Sequence, residues 1–451
     1  MKLQNEVSFP NSSAGGYSAG KLFRYFRDEL CISQEDLASV SQVSVRSLHS
    51  IETDERCSAK TRSKALAGLN ELRLRAGMPP VVSENDGRRS TLVVCQPSWL
   101  QLPGREWLRS LHGPGALLTA DFRVVPFHGK RRFDELERLL SWCTKPGRFG
   151  IRIYKGEGGM GKTRLAIELC HRLAALHTMS WTAGFADLAR FPAASVPWES
   201  LSNLQKPLLV VVDYAGEEEK TRMVSELLLH AEACPAPKLR LLFLERDDHW
   251  LDRLHENRAA REILFGPLLS RAGNEEVHSL RAVADTSTER AESLRFAASA
   301  FGKKLGLKTP AMPEANLNAG FYQSVLFLHM RALLALFDGE ARTKDAILRQ
   351  MLARERDYWK KRIVAVGLSP SLLPAVESAV SRISEQNGVA DKKSCQELLR
   401  KIALCRDQPE AVRQQLFRVL RECYPQGPSG IGPVQPDELK LSLITRSIDQ
   451  P

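Results

Sequence analysis

Between residue 117 and about residue 280, short runs of consecutive apolar residues alternate with stretches whose apolar positions recur every three or four residues. Segments 151–154, 208–212 and 239–244 are apolar without interruption, as strands covered on both faces require. With helices between them, this region predicts an α/β domain around a parallel sheet. Before it, to about residue 78, the pattern gives short helices separated by polar turns, and Pro79-Pro80, Ser83, Asn85, Asp86 and Gly87 mark a linker. After it the chain reads helical over 289–305, 322–337, 344–366, 394–403 and 410–423, and from Pro425 its Gly and Pro content predicts loop.

A length of 451 residues suits several domains, and 43% hydrophobic with 26% charged residues excludes a wholly disordered, collagenous or coiled-coil chain. No apolar run approaches the roughly 18–20 residues a bilayer-crossing helix needs, and the first residues lack a signal-peptide core, so the sequence predicts a cytoplasmic protein with no membrane partner. The nine cysteines show no Cys-x-x-Cys spacing, which argues against a zinc site or a disulfide framework. The net charge of +11 invites a polyanionic partner.

The most specific motif is Gly156-Glu157-Gly158-Gly159-Met160-Gly161-Lys162-Thr163, placed after a predicted strand and before an amphipathic helix that starts with Arg164. It satisfies G-x-x-x-x-G-K-[ST] in the strand–loop–helix context that the motif requires. Glycines let the backbone fold so that successive N–H groups face a phosphate, and the helix N-terminus adds partial positive charge. The motif predicts ATP or ADP with Mg as ligands. Gly156, Gly158, Gly159, Gly161, Lys162, Thr163 and Arg164 line the nucleotide, with Lys162 on the β- and γ-phosphates and Thr163 on the metal. A second metal-orienting carboxylate is expected at the end of a neighbouring strand, and Asp213, closing the run 208–212, supplies it. Position 214 is Tyr, so the residue that polarises water is sought further on. Glu217 is the candidate among Glu217, Glu218 and Glu219, set against three merely solvated carboxylates. Arg246, at the end of the run 239–244, can sense the γ-phosphate or pair locally with Asp247 or Asp248.

Asp121 to Lys130, Asp134 to Cys143, the phosphate loop, Trp181 to Phe185, Val212 to Gly216 and Leu244 to Arg246 together resemble the signal-transduction ATPases with numerous domains, the STAND class that includes NB-ARC and NACHT regulators. The likeness continues through Leu326 to Met330, Glu355 to Trp359 and Pro436 to Leu439. It implies a P-loop NTPase core, a helical lid, a winged-helix-like region and a nucleotide switch, and with Tyr at 214 in place of an acidic residue ATP hydrolysis is expected to be slow. It also implies a nucleotide contact from the residue after Gly129, here Lys130 where the class has Arg. Gln323-Ser324-Val325 stands where the class has Gly-x-Pro before a lid helix.

Residues 33–52 have the layout of a helix-turn-helix. Ser33 with Asp36 forms a capping-box-like start and Ser44 caps the second helix. Leu37, Ala38, Val43, Leu48 and Ile51 make the apolar seam, with Ser44, Arg46, Ser47, His49 and Ser50 along the DNA-facing side and Gln34 placed for a phosphate. Over about 58 residues this stretch resembles the XRE-type, lambda-repressor-like family, with Gln42 where Gly is frequent.

The expected architecture is multidomain: an all-α helix-turn-helix head over 1–80, a linker over 81–116, an α/β P-loop NTPase core with a parallel sheet over 117–280, a helical lid over 281–365, and a helical, winged-helix-like region with a loop-rich tail over 366–451. The expected function is a nucleotide-switched transcriptional regulator whose ATP/ADP exchange controls homo-oligomerisation and binding to double-stranded DNA. The alternative is a defence or stress-sensing ATPase in which the helix-turn-helix is an adaptor, with a separate sensor protein as partner. Charge does not single out the head: residues 1–80 hold 11 basic and 9 acidic side chains, whereas 281–451 hold 26 and 19.

Overall fold

The computed structural model describes residues 23, 24, 27, 32–53, 57–75, 81–85, 90–94, 100, 101, 113–174, 181–186, 201, 206–234, 236–247, 277–310, 317–337, 339, 341–426 and 430–448. Pro79, Pro80, Asp86, Gly87 and Asp248 lie outside the described residues.

The N-terminal helices are α1 (Gln34–Ser41), α2 (Val45–Glu52) and α3 (Ala59–Arg75). Ser33 closes the predicted capping box with Asp36, and Ser44 accepts from the Ser47 amide. Leu37, Val43, Leu48 and Ile51 are buried together with Phe23, Ala65 and Leu69, while Ala38 packs at the edge of this core. Gln42 takes φ 54 in the turn, so the glycine-favouring conformation is present and a longer side chain bears it.

The segment expected as linker carries structure. Strands β1 (Val81–Asn85) and β2 (Ser90–Val94) pair antiparallel, and β3 (Leu100–Gln101) pairs antiparallel with β5 (Thr182–Ala186). These strands are too short and too polar at their flanks for periodicity to separate them from loop.

The chain falls into two compact units: Met1–Trp107, Leu136–Lys155 and Leu165–Ser279 in one, Leu108–Glu135, Gly156–Arg164 and Leu280–Pro451 in the other. In the first unit, β4 (Phe149–Lys155), β6 (Leu208–Asp213), β7 (Leu239–Glu245) and β8 (Val277–Ser279) complete a six-stranded sheet in the order β3-β5-β6-β7-β4-β8. All its pairings except β3 with β5 are parallel. Leu208 to Val212 have no exposed surface, as their unbroken apolar run predicts. Helix α4 (Lys130–Thr144) precedes β4, α5 (Lys162–Ala174) follows the phosphate loop, and α6 (Glu218–Ala233) follows β6. The stripe Met223, Val224, Leu227, Leu228 and Ala231 of α6 is buried against the strands.

The second unit is helical and has one continuous core. Its longer helices are α7 (Ser287–Leu305), α8 (Val325–Ala335), α9 (Lys344–Ala365), α10 (Leu373–Glu385), α11 (Lys392–Lys401), α12 (Glu410–Cys423) and α13 (Asp437–Ile448), with a single helical turn at Ala403–Arg406 and with β9 (Pro425–Gln426) pairing β10 (Gly430–Ile431). The tail expected as loop contains this hairpin and α13. Pro and Gly before residue 437 hide a helix whose buried side chains include Leu439 and Leu443, one turn apart. Inside the unit, Glu355 is 1% exposed. It accepts hydrogen bonds from the Gly115 amide and, at 2.8 Å, from the Tyr424 hydroxyl, which itself accepts Trp359 Nε1–H at 2.7 Å. Burial pushes the Glu355 carboxyl above its usual range, and these two donors act against that.

Candidate nucleotide and DNA sites

The phosphate loop follows directly on Lys155, the last residue of β4, and ends where α5 begins at Lys162. Gly159 and Gly161 take φ +73 and +92. Left-handed residues of this kind curl a loop so that its N–H groups converge, and the start of α5 adds orphan amides and the positive end of a helix dipole. The Lys162 ammonium donates to the carbonyls of Gly156 and, at 3.1 Å, Glu157, so the cation sits over the loop. This donor set, amides converging with one lysine, fits a polyphosphate.

Two contacts hold the loop from its own unit. The Leu326 amide at the start of α8 donates to the Gly159 carbonyl at 3.1 Å, and Arg132 Nη2 donates to the Met160 carbonyl at 2.6 Å. A Cβ on Gly159 would stand 2.5 Å from Ser324 Oγ and 2.7 Å from Leu326 Cβ, so both its φ and its packing demand glycine. Gln323-Ser324-Val325 thus delivers α8 onto the loop without a proline. Arg132 is 4% exposed, and burial lowers its guanidinium to about 10. Sequence reasoning passed over it in favour of Lys130, which lies exposed at the start of α4. The signal available was helical spacing: Arg132 shares the buried face of α4 with Glu135, Leu136 and Leu139.

A second omission lies beside Arg164, whose guanidinium sits 5.4 Å from the Phe127 ring centroid. The imidazoles of His128 and His329 stack with centroids 5.8 Å apart, and His128 Nε2 meets Ser293 Oγ at 2.8 Å. Burial lowers both rings, His329 to about 3, and the nearby Arg164 adds to the effect on each. His329 Nε2 is buried with no hydrogen-bond partner among the described residues.

In the sheet unit, parallel register brings Lys155, Asp213, Glu245 and Ser279 to the carboxyl ends of their strands, the edge where α/β sheets bind ligands. Asp213 was expected on the strand next to β4, but β7 lies between β4 and β6. Order along the chain cannot reveal an inserted strand, because β7 follows β6 in sequence and pairs with both. Asp213 Oδ1 accepts the Tyr214 amide at 3.1 Å, and Tyr214 takes φ 55 as the chain turns away. Glu217 pairs with Lys220 at 3.0 Å, and Lys220 also donates to the Asp213 carbonyl. Arg246 is exposed, and its amide donates to Glu245 Oε1 at 2.6 Å. Glu245, which sequence reasoning left without a role, also accepts the Gly216 amide and so ties the loop after β6 to the end of β7.

In the N-terminal head, Arg46 and His49 are exposed on α2, and Ser50 is half-buried. Ser44 and Ser47 share a hydrogen bond at 2.9 Å between their hydroxyls. Gln34 Nε2 donates to Glu52 at 2.8 Å, and Glu52 is paired with Arg27 at 2.6 Å, side chains 5% and 11% exposed. This ion pair was not anticipated; it links residues 25 apart, beyond any local pattern.

No family model and no curated protein matches the chain. Among solved structures it is similar to Cdc6p from Pyrobaculum aerophilum, at TM-score 0.35 and 16% identity, covering 76% of this chain and 99% of that one. It is also similar to the ORC1 protein of Aeropyrum pernix, solved in complex with DNA, at TM-score 0.33 and 13% identity, covering 73% and 96%. NtrX from Brucella abortus, solved in complex with ADP, aligns at TM-score 0.31 and 15% identity, covering 56% and 70%. These likenesses are distant. Among the described residues no helix is long and apolar enough to cross a membrane.

Proposed function

We propose that this chain is a nucleotide-switched DNA-binding regulator of the STAND type with an XRE-type head. The observation that carries the nucleotide half is the loop 156–163 with left-handed Gly159 and Gly161 opening onto α5. Lys162 would take the β- and γ-phosphates, with Lys130 and Arg164 as further cations, and Thr163 and Asp213 are the residues that would hold Mg. A magnesium ion held there would supply neutralisation of charge developing on the phosphates. Glu217 orients water when it leaves Lys220, which makes hydrolysis slow, and Arg246 distinguishes ATP from ADP. The exposed Arg46 and His49 of α2, with Ser50, read base edges, while Ser44, Ser47 and Gln34 contact phosphates.

The direct hold of α8 on Gly159 gives the switch its route: whatever moves the loop moves this helix. Exchange of ADP for ATP then changes how copies of the chain associate, and association multiplies the heads offered to a paired DNA site. The test measures oligomer size and duplex-DNA affinity with ADP, with a non-hydrolysable ATP analogue and with no nucleotide, for wild type and Lys162→Ala. Nucleotide-dependent differences that vanish in the variant support the switch; identical profiles in all conditions overturn it. Toxicity on overexpression that requires Lys162, without operator binding, would favour the defence ATPase with a separate sensor.

A further inference from the structure

Residues 373–431 have a topology of their own. After α10, Val389 makes an antiparallel bridge with Ile431, each amide donating to the other's carbonyl at 2.8 and 2.9 Å. Helices α11 and α12 follow, joined through the single helical turn Ala403–Arg406, then β9 and β10, so the order is helix, bridge residue, helix, helix, strand, strand, with β10 between Val389 and β9. Ala375, Val376, Ala379 and Val380 of α10 share one core with Leu399 of α11 and Leu416 and Val419 of α12. That is the plan of a winged helix, in which the second helix of the α11–α12 pair presents its outer face to a groove.

The outer face of α12 is formed by Gln414, Gln415 and Arg418, all exposed and spaced to lie on one side of the helix. Gln pairs bidentately with adenine and Arg with guanine, so these are base-reading residue types. The Arg418 side chain is 72% exposed while its Nε touches Glu422 at 3.0 Å. Helix α11 opens with Lys392 and Lys393, held by an Asp391 cap that accepts the Ser394 amide at 2.8 Å. Lys392 Nζ lies 6.0 Å from the ring centroid of Phe417, which sets the basic start of α11 beside the middle of α12. Residues 391–426 hold eight basic and five acidic side chains. The complement of such a face, cations at the flank and amide and guanidinium groups at the centre, is duplex DNA.

We propose that residues 373–431 form a second duplex-DNA-reading head, with Gln414, Gln415 and Arg418 on base edges and Lys392 and Lys393 on phosphates. This head is independent of the N-terminal one, and each can fail separately.

The test selects duplexes from a random-sequence pool with the full chain, then measures affinity and footprint for wild type and three variants. Gln414→Ala/Gln415→Ala/Arg418→Ala is expected to lose about tenfold or more in affinity and to lose one protected segment. Lys393→Gln is expected to weaken all sequences alike and to reduce the salt slope by about 1. Arg46→Ala/His49→Ala is expected to lose the other protected segment. An unchanged thermal midpoint in the triple variant shows that the folded head is being compared, as expected for exposed positions. Full affinity and an unchanged footprint in the triple variant overturn the proposal, as does stronger retention of duplex RNA than of duplex DNA. Loss in the triple variant with no effect of Arg46→Ala/His49→Ala leaves this head standing and removes the N-terminal one.

Discussion

Arg132 donates to the carbonyl oxygen of Met160 at 2.6 Å from a position 4% exposed to solvent. A buried guanidinium thus fixes the backbone of the phosphate loop from outside the motif. Arg132→Ala removes a charge-assisted hydrogen bond worth roughly 1.5–3 kcal/mol, so nucleotide affinity is expected to fall about tenfold or more. Titration with a fluorescent ADP analogue measures it, and the loss should exceed that of Lys130→Ala. A larger effect at Lys130 would return the position to the residue after Gly129.

Gly159→Ala places a Cβ 2.5 Å from Ser324 Oγ on a backbone at φ +73. The left-handed conformation alone costs an alanine roughly 1–2 kcal/mol, and the clash adds to that. Thermal unfolding should show a lower midpoint, and ATP should no longer raise it. Retained stabilisation by ATP would mean that α8 can leave the loop at little cost.

Glu52 lies between Arg27 and Gln34 in the N-terminal head. Glu52→Ala removes the carboxylate of a buried ion pair, a change that costs roughly 3–5 kcal/mol, enough to unfold a small helical head. Circular dichroism and DNA affinity should fall together. Arg46→Ala, by contrast, should lower DNA affinity at an unchanged midpoint.

The His128–His329 pair sets an acid limit on the helical unit. Both rings titrate below the ordinary histidine value of 6.5, His329 at about 3. An unfolded chain therefore binds protons that the folded one refuses, and stability falls as pH drops from 6.5 towards 3. Protonation would add cations beside Arg164 and Arg132, the charged groups that face the rings. His329→Leu should flatten this part of the stability-against-pH curve, measured by urea unfolding between pH 7 and 4. An equally steep curve in the variant would assign the acid loss to other groups.

The local chemistry was legible from residue order. Gly156 to Thr163 announced a phosphate loop, unbroken apolar runs announced β4, β6 and β7, and Ser33 and Ser44 announced two helix starts, because caps, turns and buried strands are governed by neighbours a few residues apart. What residue order left undecided depends on partners far along the chain. Arg132 gains its role from Met160, Gly159 from Ser324 and Leu326, Glu52 from Arg27, and Glu355 from Gly115 and Tyr424. The position of β7 between β4 and β6 and the bridge from Val389 to Ile431 are of the same kind. Each pairs a polar or backbone group with one whose distance in sequence no periodicity encodes. Packing chooses among the possible partners, because the great majority of buried donors and acceptors must find one.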